Sequence, residues 1–376
     1  MPDTLKQYGA TVVGFATAIA YSFAGPLLAQ EPTRITSDVM CPDCSLALER
    51  VVTLGTRDGP GHLVGDPITV ARDSRGFYYV LQFREGDAIP VYDASGAFVR
   101  RIGRRGAGPG EYQRTTFIRV GRGDTLHVYD PGAQRHSLLD PSWEYVTGRP
   151  LRHPIQSVVE LENGEEVYNG VVYSFSPERF GLFLHTLDEQ GDPRRSFGDP
   201  DSLVFERGLP YLSYRRLTPG GGNRVWAAPP NRYVLELWDT DGNKHAELVR
   251  EADWFEPWIE RELASPDSPS PPFLRAIRGG SAGRLWVAIA VPAEDWAERL
   301  GPPIETARGP RYRPSSGAYN TIIEVIDAEE GRLLLSERIA PNVGGFIDEG
   351  HLYAYREDEE GVPYIDVWRI ELRHGQ

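Results

Sequence analysis

The chain has 376 residues, of which 25% are charged, and its formal net charge is −14. This acidic balance argues against nucleic acid as a partner, because phosphate binding requires a basic face. Aromatic residues make up 11% of the chain, and its 40 Gly and 31 Pro can supply the many turns of an all-β protein.

Residues 1–29 predict a secretory signal peptide. Lys6 precedes an apolar run from Ala10 to Ala20, and small residues occur near Ala29. This order of basic, apolar and small residues is typical of exported proteins. The alternative is an uncleaved anchor over Ala10–Ala29, about the minimum length for a membrane helix. We therefore expect a periplasmic or extracellular protein that contacts a membrane only if its N-terminus stays uncleaved.

Residues 30–47 form an N-terminal segment with the only two cysteines, Cys41 and Cys44. In an exported protein such a pair is expected to form a disulfide, and closing so short a loop contributes about 2 kcal/mol in the chain-entropy model. A thioredoxin-like redox role requires a βαβ context. A structural zinc site requires two more ligands, and no paired histidine spacing offers them. We predict a local disulfide, with redox and metal roles as the alternatives.

A repeated pattern runs through residues 48–374. A turn that contains Gly is followed by an aromatic-rich strand, and the pattern occurs at residues 73–80, 122–129, 162–168, 221–228, 282–288 and 348–355. Repeats of roughly 40–50 residues built from short strands are typical of β-propellers. The predicted fold class is therefore all-β, a six-bladed β-propeller, in which Leu212–Leu217 is the expected inner strand of blade four.

The last blade is predicted to be completed by the N-terminus. After strands at Gly345–Ile347, His351–Tyr355 and Tyr364–Ile370 the chain nearly ends, so blade six lacks an outer strand. Residues 49–55 offer one, because they precede a Gly-Pro-Gly link like the one that follows Phe98–Gly103. Pairing this strand with the C-terminal blade closes the ring and removes two exposed sheet edges.

Long insertions mark one face of the predicted propeller. Glu251–Pro272 links blades four and five and contains a candidate amphipathic helix at Asp253–Leu263. Pro292–Gly317 separates the second and third strands of blade five, with a candidate short helix at Pro292–Gly301. Since long loops in a compact domain are usually functional or disordered, we expect the binding surface on this face.

The inner strands carry several arginines that are expected to line the channel. The candidate ligand-binding residues are Arg72, Arg119, Glu160, Arg216, Arg275 and Tyr312. Arginines at a channel mouth, with Trp254, Trp258, Trp296 and Tyr319 in nearby loops, favour an anionic or sugar-like small molecule as ligand. The alternative is that these arginines pair with carboxylates of neighbouring blades and have a structural role only.

Signals of catalysis are weak. Gly279–Gly283 matches G-x-S-x-G, but it precedes a strand, whereas a nucleophile elbow joins a strand to a helix. Asp239–Asn243 departs from a calcium-loop pattern and predicts a turn. The eight histidines share no blade position, and none forms a local metal-ligand pair. We predict no cofactor, although Glu160, Glu162 and Asp348 leave room for a channel metal ion.

The stretch Ile102–Tyr112, followed by a strand and then Asp124–Asp130, resembles NHL-type repeats of the TolB-like six-bladed propeller group. The resemblance is strongest over blades one and two. It implies a functionally diverse family that includes ligand-binding and protein-binding propellers, lyases and lactonases. The expected function is a monomeric binding protein of the cell envelope whose partner is a small molecule or an envelope protein. A lactonase-like hydrolase or lyase with a site in the channel is the alternative.

Overall fold

Six antiparallel sheets account for most of the described chain. The computed structural model describes residues 31–82, 88–172, 179–200, 203–206, 208–259, 265–306 and 309–374. Each sheet has four antiparallel strands, and one sheet gains a fifth, parallel strand at its edge. The predicted fold class, an all-β six-bladed propeller, is confirmed.

Blades one to three take their strands from the chain in order, from the innermost strand to the outermost. Blade one is β3 (Pro67–Arg72), β4 (Tyr78–Gln82), β5 (Ile89–Tyr92) and β6 (Phe98–Ile102). Blade two is β7 (Phe117–Val120), β8 (Leu126–Asp130), β9 (Arg135–Leu139) and β10 (Tyr145–Pro150). Blade three is β11 (Ile155–Glu160), β12 (Glu166–Gly170), β13 (Leu184–Leu187) and β14 (Pro193–Phe197).

Blades four to six follow the same order, apart from an insertion in blade five and the closing strand of blade six. Blade four is β15 (Arg216–Pro219), β16 (Arg224–Ala228), β17 (Val234–Asp239) and β18 (Lys244–Arg250). Blade five is β19 (Phe273–Gly279), β20 (Arg284–Pro292), β23 (Tyr319–Asp327) and β24 (Arg332–Ile339), with the hairpin β21 (Ile304–Thr306) and β22 (Gly309–Arg311) inserted. Blade six is β25 (Val343–Asp348), β26 (His351–Glu357), β27 (Pro363–His374) and β2 (Cys44–Leu54).

Aspartates fix the outer hairpins of the blades. Asp93 directly follows the third strand of blade one, and its Oδ1 accepts hydrogen bonds from the backbone N–H groups of Ser95 and Ala97. Asp239 does the same in blade four for Asp241 and Asn243. An Asx turn of this kind satisfies turn amides that the ladder leaves open. Residues 239–243 are therefore a hairpin turn, as predicted.

The ring is closed by strands from the two ends of the chain. β2 pairs antiparallel with β27, from Leu54 opposite Ile365 to Cys44 opposite His374. The inner strands of neighbouring blades contact one another around the whole ring. The predicted closure by residues 49–55 is confirmed, and the strand extends further towards the N-terminus than expected.

The N-terminal segment also covers edges that the sequence did not predict. β1 (Thr33–Ile35) adds a parallel fifth strand to β18 of blade four. Further on, the Met40 N–H donates to the Leu333 carbonyl of blade five at 2.8 Å. Residues 33–54 therefore pair with blades four, five and six in turn. Cys44, the first residue of β2, is joined to Cys41 by a disulfide.

Apolar clusters lie between successive blades rather than around the channel. Tyr79 and Leu81 of blade one pack with Ile118 and Val128 of blade two, and all four are fully buried. Blades four and five share the cluster with the most members. Between blades two and three the apolar cluster is small, and polar side chains complete that interface.

Two predicted elements differ from the structure in blade four and in the link after it. The inner strand of blade four begins at Arg216 rather than Leu212, because a 3-10 helix occupies Pro210–Ser213. The candidate helix at Asp253–Leu263 does not form over its described part, up to residue 259, and residues 260–264 lie outside the described chain. Trp258 instead exchanges backbone and side-chain hydrogen bonds with Asn231, which hold this segment on blade four.

Two short segments of blade five form turns. The candidate helix at Pro292–Gly301 is a single 3-10 turn at Trp296–Arg299. Ser281–Gly283 is a turn between the antiparallel strands β19 and β20, so it lacks the strand-to-helix geometry of a nucleophile elbow. Among the described residues, no helix is long and apolar enough to cross a membrane.

Candidate ligand-binding site

The propeller has two unlike faces. On one, which we call the link face, the inner strands begin, and the blade-to-blade links and the loops between second and third strands emerge. On the other, which we call the hairpin face, each inner strand turns into the second strand. The insertions at 251–272 and 292–317 both belong to the link face by this topology.

A cavity of about 800 Å³ opens on the link face, and we call it the link-face cavity. Its wall combines the starts of β3, β19 and β25 with the insertion of blade five. The side chains that bear on recognition are Arg275, Tyr312, Tyr319, Asn342 and Tyr355. Its volume falls within the range of about 300–1,000 Å³ that is usual for small-molecule sites.

Arg275 ties three elements of this wall together. Its Nη2 donates to Asn342 Oδ1 at 3.4 Å, and Asn342 Nδ2 donates in turn to the Ser316 carbonyl in the blade-five insertion. The guanidinium carbon lies 4.8 Å from the centre of the Phe273 ring, in cation–π geometry. These contacts orient the arginine where β19 enters the cavity wall.

Arg216 lies next to Arg275 on the neighbouring inner strand. Its Nε donates to the Leu274 carbonyl at 3.4 Å. The charged and polar neighbours that influence its pKa are Arg275, Tyr353 and Tyr214, with no carboxylate among them. Burial and the Arg275 guanidinium together lower the pKa of Arg216 to about 10, so the side chain is still cationic at neutral pH.

Tyr353 completes this group from blade six. Burial raises its pKa to about 12 although Arg275 and Arg216 oppose the rise, so the hydroxyl stays protonated and can donate a hydrogen bond. The ring lies against the backbone of Gly344, where an added Cβ would come within 2.3 Å of Tyr353 Cε2. The absence of a side chain at Gly344 is what allows Tyr353 this position.

The loop tryptophans serve packing rather than the cavity wall. Trp254 packs against the core between blades four and five. Trp258 Nε1 donates to the Pro272 carbonyl, and the buried Trp296 donates to the Ser265 carbonyl at 3.0 Å. Trp296 also meets Tyr319 edge to face. Of the predicted aromatic set, Tyr312 and Tyr319 line the cavity.

Three of the predicted site residues lie towards the hairpin face instead. Arg72, at the end of β3, faces Asp348 with 3.9 Å between Nη1 and Oδ2. Glu160, at the end of β11, pairs with Arg119 of blade two. The structure therefore separates the predicted set into Arg216, Arg275 and Tyr312 on one side and Arg72, Arg119 and Glu160 on the other.

Arg119 is the centre of a buried polar group that we call the blade two–three network. Its Nη1 donates to Glu160 Oε2 at 2.6 Å, its Nη2 to Glu166, and its Nε to the Tyr129 hydroxyl at 3.0 Å. Tyr129 and Tyr168 both donate to Glu166. These bonds pair the guanidinium with two carboxylates, the alternative role considered for the channel arginines.

Two histidines from adjacent strands join the blade two–three network. His127 Nδ1 lies 3.0 Å from His136 Nε2 and 3.6 Å from Glu166 Oε1. This corrects the expectation that no histidines pair locally, because strand pairing brings β8 and β9 together. Three such donors could hold a metal ion, but Arg119 Nη2 lies 2.9 Å from His127 Nδ1 and already supplies the positive charge there.

The network sets the charge of its members. Burial and Arg119 lower the pKa of His127 to about 3, and burial lowers that of His136 to about 4. Burial alone would raise the pKa of Glu166, but Arg119, His136 and the two tyrosine hydroxyls lower it to about 2. At neutral pH the histidines are neutral and Glu166 is ionised.

Sequence reasoning missed Tyr353, His127, His136 and Glu166. Tyr353 and His127 each lie on the second strand of a blade, where side chains alternate towards the neighbouring blade. A repeat alignment that tracked second-strand polar residues as well as inner-strand arginines could have nominated them. Tyr129 and Glu166, for example, are 37 residues apart in the chain. A local sequence pattern does not reveal that two such residues pair.

Comparisons with known proteins agree on the fold. Residues 46–200 match a family described as a 6-bladed beta-propeller. No curated protein matches the chain.

Solved structures match over nearly the whole chain at low identity. A Bacteroides fragilis protein that is named as an exported protein is 13% identical, with 90% of this chain and 99% of that one covered and a TM-score of 0.51. A member of the DUF4221 family from Bacteroides vulgatus is 10% identical, with 88% and 99% covered and a TM-score of 0.57. A virginiamycin B lyase from Staphylococcus aureus is 11% identical, with 86% and 99% covered and a TM-score of 0.45. What the comparisons establish for this chain is the six-bladed β-propeller fold.

Proposed function

We propose that this protein is an exported propeller that binds a small anionic ligand, such as a sugar acid, through Arg216 and Arg275. The observation that carries the proposal is Arg216, a half-buried guanidinium whose pKa is lowered by burial and by the guanidinium of Arg275 on the neighbouring inner strand. Desolvating a cation without a counter-charge is costly. A bound carboxylate would supply the missing charge and accept hydrogen bonds from a planar donor suited to it.

The link-face cavity, which Arg275 lines, suits the ring of such a ligand. Tyr312 and Tyr319 line it with aromatic side chains, and Ser315 and Ser316 add polar groups beside them. Arg311 and Arg313 stand exposed on the insertion that borders the cavity. Exposed cations at an entrance attract anions and raise their local concentration.

The lining favours binding over acid–base catalysis. Among the described residues that line the link-face cavity there is no histidine and no cysteine. Of its two carboxylates, Glu357 accepts a hydrogen bond from the Tyr355 hydroxyl at 2.7 Å. A hydrolase or lyase is the competing function, and incubation of each bound ligand with the protein, followed by mass spectrometry, would reveal turnover.

Export and subtype belong to the same proposal. The signal-peptide pattern of residues 1–29 lies outside the described chain, and the disulfide of Cys41 with Cys44 suits an oxidising compartment. The Bacteroides fragilis protein of similar fold is named as an exported protein, which also supports export. We assign the NHL-type subtype on the pattern of blades one and two.

Calorimetric titration with a matched ligand panel tests the proposed site. Glucuronate and galacturonate, as monomers and short oligomers, would be compared with glucose and galactose. We expect the acids alone to bind. Arg216→Ala should weaken binding about 10- to 150-fold, since a charged hydrogen bond contributes about 1.5–3 kcal/mol and each 1.4 kcal/mol is tenfold.

Arg149→Ala is the matched control, because Arg149 is exposed and borders a different cavity, beside the blade two–three network. It should leave affinity unchanged. Equal binding of neutral and acidic sugars, or an Arg216→Ala variant that binds like the wild type, would remove the support for an anion site. A panel in which nothing binds, together with capture of an envelope protein by the same face, would favour a protein partner.

A further inference from the structure

The disulfide at the start of β2 has a histidine beside it that the sequence places at the far end of the chain. Cys44 and His374 are directly opposite one another in the β2–β27 ladder. His374 Nδ1 lies 3.3 Å from Cys44 Sγ and 3.6 Å from Cys41 Sγ. Two sulfurs and one imidazole nitrogen therefore converge on one point of the surface.

The two sulfur–nitrogen spacings suit a tetrahedral metal site, whereas the two sulfurs are bonded to each other and must separate on reduction before both can bind one ion. With Zn–S bonds of about 2.3 Å and Zn–N bonds of about 2.0–2.1 Å, a tetrahedral ion holds its sulfur and nitrogen ligands about 3.5 Å apart. The observed sulfur–nitrogen separations of 3.3 and 3.6 Å bracket this value. The two cysteines also have the C-x2-C spacing, and the Cys44 N–H donates to the Cys41 carbonyl in a tight turn.

We propose that Cys41, Cys44 and His374 form a binding site for one thiophilic divalent cation, such as Zn²⁺, when the disulfide is reduced. A dithiol reductant transfers two electrons and two protons to the disulfide, giving two thiols, and is itself oxidised to a disulfide. The cation then displaces the two thiol protons and takes the His374 nitrogen as its third ligand. Within the described residues no fourth histidine, cysteine or carboxylate joins the three, so water completes the tetrahedron.

The disulfide and the metal are mutually exclusive, because both use the same two sulfurs. They also differ mechanically. The disulfide closes a loop of neighbouring residues, whereas the metal joins the first strand of the ring closure to the last strand of the chain, 330 residues away from Cys44. The cation would thus reinforce the ladder that closes the propeller.

The histidine pair in the blade two–three network is a weaker candidate for a metal. There Arg119 donates to both His127 and Glu166 and competes with a cation. Near Cys41 and Cys44, the side chain that completes the group is His374, which is exposed.

Cobalt titration of the full chain tests the site. Co²⁺ bound by thiolates in a tetrahedral field gives sulfur-to-cobalt charge-transfer bands and strong visible bands. We expect one equivalent to produce both in the reduced protein and neither in the oxidised protein. Zn²⁺ should bleach the bands and raise the thermal midpoint of the reduced protein only.

Three variants assign the ligands. Cys44→Ser should abolish the charge-transfer bands. His374→Ala should weaken binding at least tenfold, since even outer-shell partners of metal sites contribute about 10- to 100-fold. His245→Ala, which removes another exposed histidine, should bind like the wild type. Absence of the bands in reduced, folded wild type would overturn the proposal, and so would unchanged affinity in His374→Ala.

Discussion

Arg119 and Arg216 lie on inner strands of the same propeller but have opposite surroundings. Arg119 is paired with Glu160 and Glu166, and its Nε–H donates a hydrogen bond to the Tyr129 hydroxyl. Arg216 has Arg275 as its charged neighbour and a backbone carbonyl as its hydrogen-bond partner. The partners of an arginine on an inner strand therefore depend on what the next blade places opposite it, which is a pair of carboxylates for Arg119 and a second arginine for Arg216.

The largest expected effect comes from removing Arg119. Arg119→Ala would leave Glu166 buried as a carboxylate without its cation, and breaking a buried pair in this way costs about 3–5 kcal/mol. Urea unfolding monitored by tryptophan fluorescence would measure the loss. Arg104→Ala is the control, since Arg104 is 80% exposed in its pair with Glu111, and such surface pairs contribute about 0–1 kcal/mol.

The blade two–three network should also make the protein sensitive to acid. The pKa values of His127 and His136 fall to about 3 and about 4 on folding, whereas the unfolded chain binds these protons near pH 6.5. The unfolded state therefore binds more protons, and stability should fall as pH drops from about 6.5 towards 4, by up to about 1.4 kcal/mol per pH unit for each histidine. Glu166, with a pKa of about 2, adds a further loss below about pH 4.5, its usual range.

Unfolding free energies measured between pH 7 and pH 4 check this slope. His136→Gln should flatten it by up to about 1.4 kcal/mol per pH unit, whatever its effect on stability at pH 7. His62→Gln is the comparison, because the His62 ring contacts the Thr56 carbonyl rather than the network, and it should flatten the slope less. An identical slope in His136→Gln and wild type would contradict the assigned protonation states.

The smallest effect, and the one of opposite sign, is expected for Arg216. Arg216→Met removes a poorly compensated charge while keeping apolar contacts, so the unfolding free energy should stay within about 1 kcal/mol of the wild type or increase. The same urea titration used for Arg119→Ala gives the comparison directly. If the two variants were destabilised equally, both arginines would be structural and the distinction between them would be lost.

Much of the fold could be predicted because each blade repeats local signals. Gly-containing turns and β-branched or aromatic strands fix the blades, and the spare strand at residues 49–55 needs a partner. The non-repeating parts were harder. Trp258 looked helical in its sequence context, but its bonds to Asn231 hold an irregular segment. The strand β1 escaped prediction because a three-residue strand on a parallel edge has no pattern of its own.

The sequence by itself determined the number of blades, the closing strand, the cysteine pair and which residues carry charge along the inner strands. Only the tertiary structure decided what those charges meet. Pairing between neighbouring blades gave Arg119 two carboxylates and gave Arg216 a second arginine and a tyrosine, and the closing ladder brought His374 to Cys44. The physical reason is that electrostatic interactions depend on distance and burial, and both are set by contacts between residues that lie far apart in the chain.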